Sequence, residues 1–199
     1  MKKVIVLVVL MIFNFGYSQK KFSYANVANF QTTINSEYAD AKTSPLMEED
    51  LKTFKSLDFY PINGKYFVVA KFEKAKNEKA FEMKTTGTRT PKYIKYGTLS
   101  FTLEGKALKL NVYRSIDLSK QEQYKDHLFL PFSDLTCGKE SYIGGRYIDL
   151  KIPKGNTIAI DFNQAYNPYC AYNHKYSCPL VPLENDLNVE IKAGVKTFH

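Results

Sequence analysis

The chain has 199 residues, 28 of them basic and 20 acidic, for a formal net charge of +8. With 44% hydrophobic and 24% charged residues it is too apolar for intrinsic disorder, and no collagen-like or low-complexity repeat occurs. Length allows one domain or two small ones; fibres, disordered tails and multi-span membrane proteins are excluded, and no reaction is named.

The first element reads as a cleavable signal peptide over residues 1–18. Lys2 and Lys3 form a positive start, Val4 to Phe13 is unbroken apolar sequence, and Gly16-Tyr17-Ser18 places small residues where a signal peptidase reads them. The apolar run is about ten residues, short of the roughly 20 that a membrane-spanning helix needs, so an uncleaved anchor is the weaker reading. Absence of Cys at the cleavage region argues against a lipoprotein. Cleavage would leave residues 19–199 as one β-rich domain, secreted or periplasmic, with no stable membrane span.

A helical part is expected over 24–57. Val27, Phe30, Ile34, Tyr38 and Ala41 recur at three- and four-residue steps, one stripe of an amphipathic helix. Ser44-Pro45 ends it and can cap a second short helix, with Glu48 and Glu49 near its positive end and Leu51, Phe54 and Leu57 inward.

Beyond Asp58 the period changes to two. Tyr66 to Phe72 is β-branched and aromatic, and Phe81 and Met83 alternate with polar neighbours. Leu99, Phe101 and Leu103 share one strand face and Leu108, Leu110 and Val112 the next, with Glu104-Gly105-Lys106 as a tight connection. A second hairpin is expected to pair Ile148, Leu150 and Ile152 with Ile158, Ile160 and Phe162 across Pro153-Lys154-Gly155-Asn156. A last strand runs through Leu187, Val189 and Ile191. The fold class is therefore mainly β (α+β): an antiparallel β-barrel or sandwich with one or two N-terminal helices.

Charge is unevenly placed. Residues 52–109 carry 13 basic and 5 acidic side chains, whereas 110–199 balance at 10 and 10. A basic stretch can suit nucleic acid, but Arg is the preferred fork for phosphates and bases, and only Arg89, Arg114 and Arg146 occur. Export points the same way, so no nucleic-acid partner is expected; lysines spaced along strands read as a solvated face that also protects sheet edges.

Residues 161–186 have no clear period and hold four Tyr, three Pro and two Cys. A loop of that length is usually functional or stapled. In an oxidising compartment Cys170 and Cys178 can close a disulfide, a ring contributing about 2.5 kcal/mol by chain entropy. The alternatives are two free thiols, a metal site of Cys170, His174 and Cys178, which lacks a fourth ligand, or a nucleophilic thiol. No metal and no cofactor are expected, and Cys137 reads as a buried filler.

Two runs resemble a known family. Phe132-Ser133-Asp134-Leu135-Thr136-Cys137-Gly138-Lys139-Glu140-Ser141-Tyr142 with Gly145-Arg146-Tyr147-Ile148-Asp149 is similar to the central signature of the bacterial "domain of unknown function 1684". Asp161-Phe162-Asn163-Gln164-Ala165-Tyr166-Asn167-Pro168-Tyr169-Cys170-Ala171-Tyr172, then Cys178-Pro179-Leu180-Val181-Pro182-Leu183-Glu184-Asn185, is similar to its C-terminal one. The resemblance spans roughly Ile34 to Lys196. It implies that these residues act as a unit, and that Cys137 and His174, at variable positions, are weaker catalytic candidates. It supplies no reaction.

Candidate site residues follow from charge and parity. Asp134, Thr136, Glu140 and Tyr142 would share one side of an extended chain. If the second hairpin forms, Asp149 and Asp161 lie nearly opposite each other and repel unless a cation such as Arg146 intervenes or one is protonated. Glu140, Asp149 and Asp161 are the three catalytic candidates, from which the acid and the base of a carboxylate hydrolysis would come. Arg146, Asp134, Tyr142, Asn163, Tyr166 and Asn167 are the binding candidates. The blander reading of the same residues is an Arg–carboxylate network that pins the long loop, with Asn163, Asn167 and Asn185 capping turns. Fifteen Tyr and no Trp give a polar-tipped aromatic surface on which a glycan or other small envelope molecule could stack. The expected function is ligand binding, with a carboxylate hydrolase as the alternative; no G-x-S-x-G elbow, H-E-x-x-H pair or Gly-rich phosphate loop is present.

Overall fold

In the computed structural model, which describes residues 21–199, the helical part begins where the apolar stripe does. The expected signal peptide lies outside the described residues. Ser23 caps α1 (Tyr24–Ala39) by accepting from the amide of Asn26, and Val27, Ile34 and Tyr38 are its buried stripe. Helix α2 (Glu48–Thr53) starts later than Ser44-Pro45 suggests, because the Ser44 hydroxyl accepts from the amide of Leu46 and closes a turn instead. Glu48, Glu49 and Asp50 occupy its first turn, where the helix dipole favours acids.

Eight strands follow among the described residues: β1 (Phe67–Lys74), β2 (Phe81–Glu82), β3 (Lys92–Leu103), β4 (Lys106–Ser115), β5 (His127–Asp134), β6 (Arg146–Lys151), β7 (Thr157–Asp161) and β8 (Asp186–Leu187). The order across the sheet is β6-β5-β4-β3-β1-β7, every neighbour antiparallel; β2 adds to β3, and β8 runs parallel to β5. The sheet is mainly antiparallel and curls into a half-barrel. Glu104 and Gly105 link β3 to β4 with φ of 49° and 78°, the primed turn that suits strand twist, and Leu103 faces Lys106.

The second expected hairpin does not form. β6 pairs with β5, placing Asp149 opposite Phe129, and β7 pairs with β1, placing Asp161 opposite Phe67. β6 and β7 are instead the two ends of the sheet, and the half-barrel stays open between them. Period-two burial was readable because Ile148, Ile158 and Ile160 point inward under either pairing; which strand lies alongside is not contained in that parity.

The barrel interior is packed by Val68, Phe72, Leu99, Phe101, Leu110, Val112, Leu130, Phe132 and Ile160. Along the C-terminal segment Leu187, Val189, Ile191 and Ala193 close it from below. A second cluster, Ile34, Tyr38, Leu46, Leu57, Tyr172 and Val195, seats α1 against the long loop. A third, Met83, Tyr113, Phe129 and Tyr147, lies on the outer face. The long loop crosses that face: Tyr147 and Tyr166 exchange both backbone hydrogen bonds, and the Tyr147 hydroxyl donates to the carbonyl of Pro179.

Two asparagines complete the sheet with side-chain amides. Asn185 Oδ1 accepts from the amide of Asn111 at 2.7 Å, while its Nδ2 donates to the carbonyls of Asn111 and Pro131. It thereby bridges β4 and β5 near Pro131, which has no N–H of its own to offer. Asn163 does the same for Asn63, accepting from its amide at 2.9 Å and donating to its carbonyl at 3.1 Å.

Candidate functional site

Where β6 and β7 come close without pairing, α1 lies beside them and leaves a cleft of about 560 Å³. Ile148, Asp149 and Leu150 form one wall, Ala159, Asp161 and Gln164 the other, and Ser23, Asn26 and Phe30 hang from α1. A smaller hollow of about 320 Å³ shares Phe30, Asp149 and Tyr166 with it and continues along α1 to Tyr38 and Tyr169. Asp149 and Tyr166 thus stand where the two hollows join.

Asp149 is held from both sides. The Tyr166 hydroxyl donates to Oδ2 at 2.8 Å, and His127 Nε2 to Oδ1 at 2.8 Å, yet the carboxylate remains half exposed. Burial, reinforced by the adjacent Asp149 charge, pushes the Tyr166 hydroxyl well above its ordinary pKa, so it acts as a donor at neutral pH. An ionised carboxylate offers about four lone-pair sites. Two are used here, and the exposed remainder can accept from a ligand hydroxyl or ammonium. Phe30, Phe67 and Tyr166 supply apolar and aromatic surface beside it.

Asp161 lines the same cleft but is occupied. Its Oδ1 accepts from the amide and side chain of Asn163 at 3.1 and 2.8 Å, and its Oδ2 from Gln164 Nε2 at 3.1 Å. It caps the short 3-10 turn Phe162–Gln164. The structure therefore brings Asp149, Asp161 and Tyr166 to one cleft by a route other than the expected hairpin. Glu140 lies elsewhere, exposed and paired with Lys192 at 2.8 Å.

Arg146 and Asp134 are buried away from the cleft and meet at 2.7 Å. Arg146 donates to Asp134 Oδ2, to the carbonyl of Ile191 at 2.8 Å and to that of Ala193. Asp134 Oδ1 accepts from the amide and hydroxyl of Thr136 and from the amide of Ile191. The pair thus satisfies the backbone of an extended segment that has no strand neighbour there. Asn167, also buried, donates to the carbonyl of Lys196 at 2.8 Å. The network holds residues 191–196; the expected clamp on the 161–186 loop falls instead to Tyr147, next in sequence to Arg146.

Tyr142 opens on a separate cleft of about 450 Å³ with Ala171, Tyr172, His174 and His199. Behind it are Cys170 and Cys178. The expected bond between them is not formed: both are free thiols, buried side by side, with the Cys170 amide donating to Cys178 Sγ at 3.2 Å. Cys137 is half-buried, and its sulfur accepts from the amide of Asp134 at 3.4 Å. Among the described residues no group of three or more His, Cys, Asp or Glu side chains converges as metal ligands. Among them, too, no helix is long and apolar enough to cross a membrane.

Sequence reasoning missed His127 and the α1 residues of the cleft. His127 is one strand away from Asp149, and no spacing announces that neighbour; Phe30 was legible only as part of a helical stripe.

Comparison with known proteins adds kinship. Residues 52–196 match the model of the family described as "Protein of unknown function (DUF1684)". No curated protein matches the chain. Among solved structures, the chain is similar to the uncharacterized protein from gene locus rrnAC0354 of Haloarcula marismortui, determined in solution by NMR. The two share 32% identity over 87% of this chain and 93% of that one, with a TM-score of 0.68.

Proposed function

The chain belongs to the DUF1684 family, and on that premise we propose that it is an exported module that binds a small polar ligand, a glycan or similar envelope component, in the cleft between β6 and β7. One observation carries this reading: the sheet is left open at the edge where a half-exposed carboxylate, Asp149, is oriented by Tyr166 and His127 beside the aromatic rings of Phe30 and Phe67. Polar groups fixed on rigid strands next to apolar surface are what a sugar or amino sugar needs for orientation and stacking. The Arg146–Asp134 network acts one step back, by fixing the end of β6 and the segment beneath it.

Nuclear magnetic resonance of the labelled full chain, titrated with neutral and amino-containing oligosaccharides, tests the proposal. Shifts are expected at Asp149, Tyr166 and Phe30, and to be lost in Asp149→Ala. Shifts confined to other surfaces, or none with any member of the panel, overturn it.

A second reading, hydrolysis, draws on the presence of Asp149 and Asp161 in one cleft. Asp149 is then the working base, since Asp161 already accepts three hydrogen bonds. Release of reducing ends from the same oligosaccharides, abolished by Asp149→Asn, distinguishes this reading from binding alone. Export itself rests on residues 1–18, with Gln19 at the mature N-terminus; mass spectrometry of the protein from its native host reads that directly.

A further inference from the structure

The two free thiols of the long loop are independent of the β6–β7 cleft and have no part in the reading above. Cys170 and Cys178 each keep 7% exposure, and the Cys170 amide donates to Cys178 Sγ at 3.2 Å. The Tyr142 hydroxyl lies 3.8 Å from the Cys170 sulfur, and Tyr142, Ala171 and Tyr172 line the neighbouring cleft of about 450 Å³. The segment around Cys178 is clamped to residues 84–89. Cys178 N donates to the Thr86 hydroxyl at 3.0 Å, Thr86 N to the Cys178 carbonyl at 2.9 Å, and Arg89 to the carbonyl of Ser177 at 2.8 Å. The Cys178 backbone is thus tethered to a fixed turn, whereas Cys170 lies behind Tyr142, which lines the neighbouring cleft.

We propose that Cys170 and Cys178 form a thiol–disulfide exchange site that takes a disulfide-bearing substrate from the Tyr142 side, with Cys170 attacking and Cys178 resolving. The Cys170 thiolate attacks one sulfur of the incoming disulfide; that bond breaks, one substrate thiolate leaves, and a mixed disulfide remains on Cys170. Cys178 then gives up its proton and attacks the Cys170 sulfur, which expels the second substrate thiolate. Two electrons pass from the cysteine pair to the substrate, and the two protons released end on the two substrate thiols.

The assignment of roles follows from the surroundings of each sulfur. Hydrogen bonding from the Cys178 thiol, with help from the Thr86 and Tyr142 hydroxyls, lowers the Cys170 thiol to about 6, while the same partnership pushes Cys178 up. Tyr142, raised to about 12 chiefly by burial, stays protonated and can donate to a Cys170 thiolate. An attacking thiol works best as a thiolate near ambient pH, and the resolving thiol must keep its proton until the mixed disulfide exists.

The test uses the full chain, reduced with a phosphine, carrying Cys137→Ser to remove the third thiol, and treated with the aromatic disulfide dithiobis(nitrobenzoate). The expected product has lost two hydrogens, retains no reagent and has released two equivalents of thionitrobenzoate. Cys178→Ser is expected to trap one reagent molecule on Cys170, and Cys170→Ser to react about tenfold more slowly. Retained reagent in the Cys137→Ser protein, no reaction, or faster trapping by Cys178 in Cys170→Ser overturns the proposal. Should a serine variant unfold, peptide mapping of the treated wild-type chain decides in its place: a Cys170–Cys178 cross-link supports the assignment and separately modified cysteines refute it.

Discussion

Asp134 and Arg146 meet at 2.7 Å with neither side chain reaching solvent. Together they do the work of a sheet neighbour for Ile191 and Ala193, accepting from one amide and donating to two carbonyls. Stability here depends on keeping both members, because each is an uncompensated buried charge without the other.

Arg146→Ala is accordingly expected to cost about 3–5 kcal/mol, read from urea or thermal unfolding. Arg146→Lys keeps the charge but not the planar fork, and should also destabilise, though by less. Hydrogen exchange should rise at residues 189–196 before it rises in the Tyr-rich loop. Equal protection in both variants would show that the C-terminal segment is held by packing alone.

The two cleft aspartates should separate by mutation. Asp161→Ala removes a cap and is expected to cost about 1 kcal/mol. Asp149→Ala, half exposed in the wild type, should change stability by less than about 0.5 kcal/mol while abolishing ligand shifts. The reverse pattern would make Asp149 structural.

Gly145→Ala should be severe for its size. Gly145 has φ +82°, and a Cβ there would lie 2.6 Å from both the Phe132 carbonyl oxygen and a Val181 methyl. Left-handed strain and a backbone clash together should cost more than about 1 kcal/mol in denaturant unfolding.

Alkali should destabilise the fold. Burial holds Tyr38, Tyr113, Tyr147, Tyr166 and Tyr172 above their ordinary value, so each contributes stability that is complete below about pH 10. Above that pH the unfolded chain loses phenolic protons that the folded one keeps, and stability falls with each further rise. Ultraviolet titration should show these tyrosinates appearing together with unfolding; independent ionisation of all fifteen near pH 10 would contradict the burial.

Alternation along Leu99–Leu103, Leu108–Val112 and Ile158–Phe162 made strand faces and the β3–β4 turn legible, since local chemistry decides both. The partner of β6 was not legible, because Ile148 buries equally well beside β5 or β7. For the same reason Asp149 and Asp161 could be grouped by parity, but His127 could not be added. The C-terminal run is the instructive intermediate: Leu187, Val189 and Ile191 bury as a strand would, yet most of the segment finds its hydrogen-bond partners in side chains and loops rather than in a ladder.

The pairing of β1 with β7 also sets the order in which the chain can finish. Phe67 waits for Asp161, synthesised roughly ninety residues later, and Arg146 waits for carbonyls within the final ten residues or so. β3 and β4 can zip together early through their two-residue turn, but the outer edge of β1 stays vacant until almost the whole polypeptide has emerged. Such long-range closure slows folding relative to a helical bundle of similar size. Under the export proposed above, this late closure would leave the polypeptide loose enough to pass a translocation pore and would complete the structure only on the far side.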